Sequence, residues 1–180
     1  MPPRTCSRDC RRPTCGRYRR RVRKASGVKF VLDTNVFVDA FRDETFAEAM
    51  AAFLEQALPA TFLSAVVVQE LAAGARTRER VRALESSILR PFERRGRVFA
   101  PSTLAFRASG RLLAELATRE GWPAIHSNPS LANDALLAAS CREHGFTLIT
   151  SDGDFDRFLP FLGRWRHVQP WPQVGKTADR

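Results

Sequence analysis

The chain is predicted to be an α/β protein of three layers, α/β/α, around a central, mainly parallel sheet of four to five strands. Two observations carry this. Short apolar runs rich in Val, Ile, Leu and Phe recur along the chain, and each gives way to a stretch with helical spacing or a helix-start signal. In addition, several of these runs lack the polar alternation of a half-solvated strand, as expected when both sheet faces are covered.

The first strand is read at residues 28–32. Residues 43–58 are helix-like, with Phe46, Met50, Phe53 and Leu54 on one face and Pro59 ending the segment. A second short strand is expected at 61–63, with Ser64 capping a helix over 65–73 that Gly74 can break. A charged helix then runs over about 78–95, and a strand over 97–100. Ser102 caps a helix reaching about Glu120. Residues 121–129 hold Gly121, Pro123, Ser127, Asn128 and Pro129 and read as a loop. Ser130 is expected to cap a helix over 131–144, with Gly145 at its C-terminal stop. A strand at 146–150, a short helix at 155–159 and a last strand at 166–168 complete the body. No internal repeat is visible.

The net charge of +10 belongs mostly to one end. Residues 1–26 carry ten Lys or Arg against Asp9 alone, giving +9 and leaving +1 for the rest. The high charge is therefore no footprint of a nucleic-acid-binding body, although the tail itself could add unspecific nucleic-acid affinity. Residues 1–26 are expected to be a disordered basic tail, 27–172 the folded domain and 173–180 a second tail. Cys6, Cys10 and Cys15 lack the paired spacing of a zinc site and read as free thiols, and Cys141 as core. No run approaches the roughly 18 apolar residues of a membrane span, and the basic start lacks a signal peptide's apolar stretch. A cytoplasmic protein is expected.

Carboxylates carry the chemistry. Asp33 directly follows the first strand, and Asp152 follows the strand at 146–150. Open parallel sheets bind ligands beyond the carboxyl ends of their strands, where strand order reverses. Glu70 shares its helix face with Val66, Val67, Ala73 and Gly74, and Asp134 with Ser130, Leu131, Leu137 and Ala138. Singly, each acid also fits a helix cap or a dipole contact, Asp134 best of all. Together, acids on apolar faces without Lys or Arg at those positions would repel and raise one another's pKa. A divalent cation relieves this, and all-oxygen ligation selects Mg²⁺ or Mn²⁺.

These residues also resemble a known family. Val31-Leu32-Asp33-Thr34-Asn35 looks like the opening motif of PIN domains. The segments ending in Gln69-Glu70-Leu71, Asn133-Asp134-Ala135 and Thr150-Ser151-Asp152 resemble the family's later acidic motifs, in the expected order. Within PIN proteins the chain is most similar to VapC toxins of bacterial toxin–antitoxin pairs. The resemblance implies a PIN-like fold, a magnesium-dependent endoribonuclease, a homodimer and inhibition by a cognate antitoxin. Several family members carry Asn at the fourth position, where this chain has Asp152 with Asp154 two residues on; either could reach a metal, and Asp152 ranks first with Asp154 a possible accessory.

On this reading Asp33 and Asp134 hold one Mg²⁺ (or Mn²⁺), and Glu70 and Asp152 bind through water or complete a second site. Thr34, Asn35 and Thr150 suit the orienting of a carboxylate or a metal-bound water, or else local turn capping. Arg76 and Arg78 could frame the RNA, with Arg80 and Arg82 beyond them, and Trp122 or His126 could stack on a base. His126, His144 and His167 otherwise read as structural or surface groups. A haloacid-dehalogenase-like phosphatase would need Asp where Asn35 stands, and a receiver domain's acidic pair and late lysine are not seen. A catalytically silent PIN module binding RNA or protein is the alternative of a different class.

Overall fold

The computed structural model describes residues 27–171. Expectations for the tails at 1–26 and 173–180, including Cys6, Cys10 and Cys15, lie outside the described residues. Five strands, β1 (Phe30–Leu32), β2 (Thr61–Ser64), β3 (Val98–Phe99), β4 (Thr147–Ile149) and β5 (Arg166–Val168), form one sheet in the order β3-β2-β1-β4-β5. Every pairing is parallel. The chain builds outward from β1 through β2 to β3, then returns to add β4 and β5 on β1's other edge. Strand order thus reverses between β1 and β4, and the register sets Leu32 beside Ile149.

Helices α1 (Thr34–Arg42), α2 (Glu44–Ala57), α3 (Ala65–Gly74), α5 (Thr103–Glu120), α6 (Trp122–His126) and α7 (Leu131–His144) cover the sheet, with α4 starting at Arg78–Ala83 and α8 at Leu159–Leu162. Helix α4 continues through a π-helical stretch, Leu84–Leu89, into Arg90–Glu93. The cause is Pro91, which has no N–H to donate and would clash with the carbonyl four residues earlier; a wider turn just before it displaces that carbonyl.

Helix α1 has no counterpart in the sequence reading. Its Thr, Val and Phe are indifferent helix formers, and packing on α2 with Val36 and Phe37 buried holds it instead. Two more differences bear on the site. Residues 122–126 form the short helix α6 rather than plain loop. Ser130 does not cap α7 with its side chain: its backbone is already helical, so its hydroxyl turns back to Asn128 Oδ1 at 2.8 Å. Ser64 and Ser102 do cap α3 and α5.

The core runs through both faces of the sheet, with Val31, Leu32, Leu63, Leu148 and Ile149 almost wholly buried. Trp171 closes over Phe46 and Phe53, at ring-centroid distances of 5.1 and 5.6 Å. Helix α7 is buried almost throughout, between the sheet and α5. Helices α5 and α7 are antiparallel: Ser102, starting α5, donates to Glu143, near the end of α7, at 2.6 Å. Their connection, residues 121–130, therefore lies at the opposite end, beside the turn that follows β4. No described helix is long and apolar enough to cross a membrane.

Candidate functional site

The site begins with the β1–β4 seam. Because the two strands are in parallel register, the residues leaving them, Asp33 and Thr150, emerge side by side, and the Asp33 N–H donates to the Ile149 carbonyl at 3.0 Å. Both are buried. Asp33 Oδ1 accepts from the Thr34 N–H at 2.8 Å and so caps α1, while Oδ2 accepts from the Thr150 hydroxyl at 2.7 Å. Capping and membership of the acidic cluster thus coincide in one residue. The Thr150 oxygen also receives the Asn35 amide and the Asp152 N–H, each at 3.0 Å. With its acceptor positions taken, its proton has one direction left, toward Asp33.

Glu70 arrives from α3, which β2 feeds across the seam. Thr34's hydroxyl donates to its Oε2 and Asn133's amide to its Oε1 at 2.8 Å. Thr34 thus ties Asp33 to Glu70, and Asn133 ties Glu70 to the first turn of α7, where Asp134 is the next residue. Asn133 has no role in the sequence reading. The available signal was its position beside Asp134, since a half-buried Glu70 needs a donor and, among the described residues, forms no ion pair with Lys or Arg.

Asp134 is only 8% exposed, and among the described residues its buried Oδ2 has no hydrogen-bond partner. Burial pushes its carboxyl up to about 7, with further upward push from the charges of Asp33, Glu70 and Asp152, against the lowering influence of the Ser130 side chain. Asp33 is likewise raised by burial, to about 6, against the lowering influence of Thr150 and the Thr34 N–H; Glu70 and Asp152 again push upward. Four acids separated by up to 119 positions in the chain therefore share one electrostatic neighbourhood.

Asp152 caps the 3₁₀ turn Gly153–Phe158 by accepting the Asp154 N–H at 2.8 Å. Asp154 receives the Asn128 amide at 3.0 Å, with Arg157 at 3.6 Å. Arg76 and Arg78 are exposed at the α3–α4 junction, and among the described residues neither forms an ion pair. Cys141 is buried, and burial pushes its thiol far up, away from reactivity. His144 stacks on Phe146, His126 on Trp122, and His167 stacks on Trp165 and reaches Asp156 at 3.1 Å.

Among the described residues, no three acidic, His or Cys side chains converge tightly enough to ligate one ion by themselves. A hard cation of the Mg²⁺ kind does not require that, since it commonly takes one or two carboxylates and keeps several waters. The donor set is entirely oxygen, and the lone buried oxygen of Asp134 is a group that a cation would satisfy. On both counts the residues fit such an ion.

No curated protein matches the chain. Among solved structures it is similar to FitAcB from Neisseria gonorrhoeae, at 24% identity and TM-score 0.58, covering 80% of this chain and 99% of the other. It is also similar to DNA-bound VapBC from Salmonella typhimurium, at 22% identity and TM-score 0.58, covering 79% and 98%. VapBC-1 from nontypeable Haemophilus influenzae stands at 21% and 0.58, again covering 79% and 98%. At these identities the likeness is one of fold. The PIN domain family model matches residues 30–158, nearly the whole described body, and the chain belongs to the PIN domain family, whose members are typically nucleases.

Proposed function

We propose that this chain is a metal-dependent endoribonuclease and the toxin of a VapBC-type pair. The observation that carries the reading is the buried Oδ2 of Asp134, without a hydrogen-bond partner among the described residues and set in the field of three other acids. A fold tolerates such an oxygen poorly unless a ligand completes it. Asp33 and Asp134 would hold Mg²⁺ or Mn²⁺, with Glu70 and Asp152 around them. When bound, the ion would activate a water and neutralise charge growing on the phosphate.

The chain's own residues do the preparatory work. Thr150 and the Thr34 N–H fix both Asp33 oxygens, and Thr34 and Asn133 fix both of Glu70's, so these carboxylates need no reorganisation. Asn35 orients Thr150, and Arg76 and Arg78 are free to meet phosphate. The choice of RNA rests on the sequence likeness to VapC toxins. An antitoxin partner is supported by the neighbours, which are FitAB and VapBC complexes, several of them with DNA. A homodimer acting in the cytoplasm belongs to the same reading.

The full chain should cleave total RNA with Mg²⁺, stop in EDTA, and lose the activity on Asp33→Asn. Mg²⁺ should also raise the Tm of the wild type and not that of Asp134→Asn. Cleavage that survives Asp33→Asn would assign the activity elsewhere. RNA binding without any cleavage would favour the silent module.

A further inference from the structure

Residues 121–130 have features that the acid cluster does not account for. Trp122 is 59% exposed, whereas Trp165 and Trp171 are each 6% exposed. An indole left in water is apolar surface the fold has not used. Nor does it hang loosely: it stacks on His126 with ring centroids 5.5 Å apart and planes 24° from parallel. Ile125, between them in the chain, packs against the core.

Both ends of the segment are fastened to the turn that bears Asp152. At one end Glu120, the last residue of α5, accepts from Arg157 Nη2 at 2.5 Å. At the other, Asn128 donates to Asp154 Oδ2 at 3.0 Å. Asp154 and Arg157 lie in the same 3₁₀ turn and face each other at 3.6 Å, so the two fastenings form one clamp. The Asp154 N–H in turn donates to Asp152 Oδ1. Downstream the segment runs into α7, where the Ser130 carbonyl accepts from the Asp134 N–H at 3.0 Å. The aromatic pair is thus held on a short strap between Asp134 and the Asp152 turn.

We propose that residues 121–130 are a stacking platform for an unpaired base of single-stranded RNA, with Trp122 as its surface, and that Asp154 is the positioning residue that holds it beside the acids. The proposal rests on the ribonuclease reading for its ligand. Aromatic faces accept any base, so the platform seats the strand without selecting sequence. A planar, pre-stacked ring also loses little side-chain freedom on binding. Asp154 then has a task other than ligating an ion, which accounts for a second acid two residues after Asp152.

The test uses the full chain in EDTA, with fluorescein-labelled oligouridylate of about twelve nucleotides and an abasic ribose-phosphate strand of equal length. Trp122→Ala should weaken oligouridylate binding roughly 5- to 150-fold and leave abasic binding unchanged. In the wild type, oligouridylate should shield the exposed tryptophan from acrylamide quenching, and the abasic strand should not. Asp154→Ala should weaken binding about as far, and its effect should not add to that of Trp122→Ala. Asp154→Asn, which can still accept from Asn128, should recover part of the loss; Asn128→Ala serves if Asp154→Ala fails to fold. Phe41→Ala, removing another exposed aromatic, is the control and should match wild type.

If Trp122→Ala binds oligouridylate as tightly as wild type, the platform is wrong. The same holds if the variant changes only oligomeric state, marking a protein contact. An Asp154→Ala that lowers Tm without changing affinity overturns its positioning role. Wild type that binds with Trp122 shielded yet never cleaves with Mg²⁺ refutes the nuclease reading and leaves the platform standing. Wild type that neither binds nor cleaves refutes both.

Discussion

The two acids carried by helices, Glu70 on α3 and Asp134 on α7, sit on either side of Asn133 and are finished very differently. Glu70 is half-buried with a donor on each oxygen; Asp134 is more deeply buried and has one oxygen with none. The first is a completed structural feature. The second is stable only because something else can neutralise it, whether a proton or a cation. A shared motif context thus conceals a division of labour, in which one acid is held in place and the other is left open.

The sharpest way to break this comparison is substitution at the open acid. Asp134→Asn should lower Mg²⁺-dependent cleavage by at least about a hundredfold, as loss of a metal's charge stabilisation would. Yet it should leave the metal-free protein as stable as wild type or more so, because it removes a buried charge. Activity assays beside thermal melts in EDTA read both, and a large fall in Tm would mean that Asp134 is structural after all. Glu70→Gln should behave in the opposite sense for stability. It places an amide N–H against the donor of Thr34 or Asn133, which costs about 1–3 kcal/mol of stability. Urea titration would show this as a lower midpoint at unchanged slope.

Thr150→Val probes the seam beneath both acids. It takes from Asp33 its buried hydroxyl donor and from Asn35 and the Asp152 N–H their acceptor, for a loss of about 1–3 kcal/mol. Asp33 should then titrate still higher, measurable by carboxyl NMR.

The pH dependence follows from the raised carboxyls. Asp33 and Asp134 protonate near 6 and 7 in the fold, against an ordinary value near 3.8. Between those limits the folded state binds more protons than the unfolded one, so the stability of the metal-free protein rises as pH falls from about 7 toward 4. The Tm should rise measurably across that window. Saturating Mg²⁺ should flatten the trend by stabilising the ionised forms. A metal-free Tm that falls steadily from pH 7 to 5 would mean that these two groups do not dominate.

The smallest effect belongs at the rim. Arg157→Gln breaks a partly exposed pair with Glu120 and should change stability by less than about 1 kcal/mol. A larger loss would make the clamp a structural element of the whole fold.

Much of this site could be read before any coordinates. The apolar strands ending in Asp33 and near Asp152 and the α7 helix with its Gly145 stop follow from local patterns, and Gly145 does take the left-handed conformation at φ +66°. The four acids and the short polar groups among them were visible in the same way. Helix α1 was not, because its Val- and Phe-rich sequence forms a helix only where α2 and the core receive it. Nor could the sequence show that the Ser130 hydroxyl donates to Asn128 instead of capping α7, or that Asp154 is engaged by Asn128.

The residue string by itself determined the order of the strands and of most helices, the chemical types at the ends of the strands and the family they belong to, since these depend on neighbours along the chain. Only the tertiary structure decided which oxygens are satisfied and which is left bare. The parallel register of β1 with β4 and the packing of α3 and α7 bring donors from distant segments to Asp33 and Glu70 and, among the described residues, leave one Asp134 oxygen without any. That outcome depends on three-dimensional geometry, which local preference does not encode.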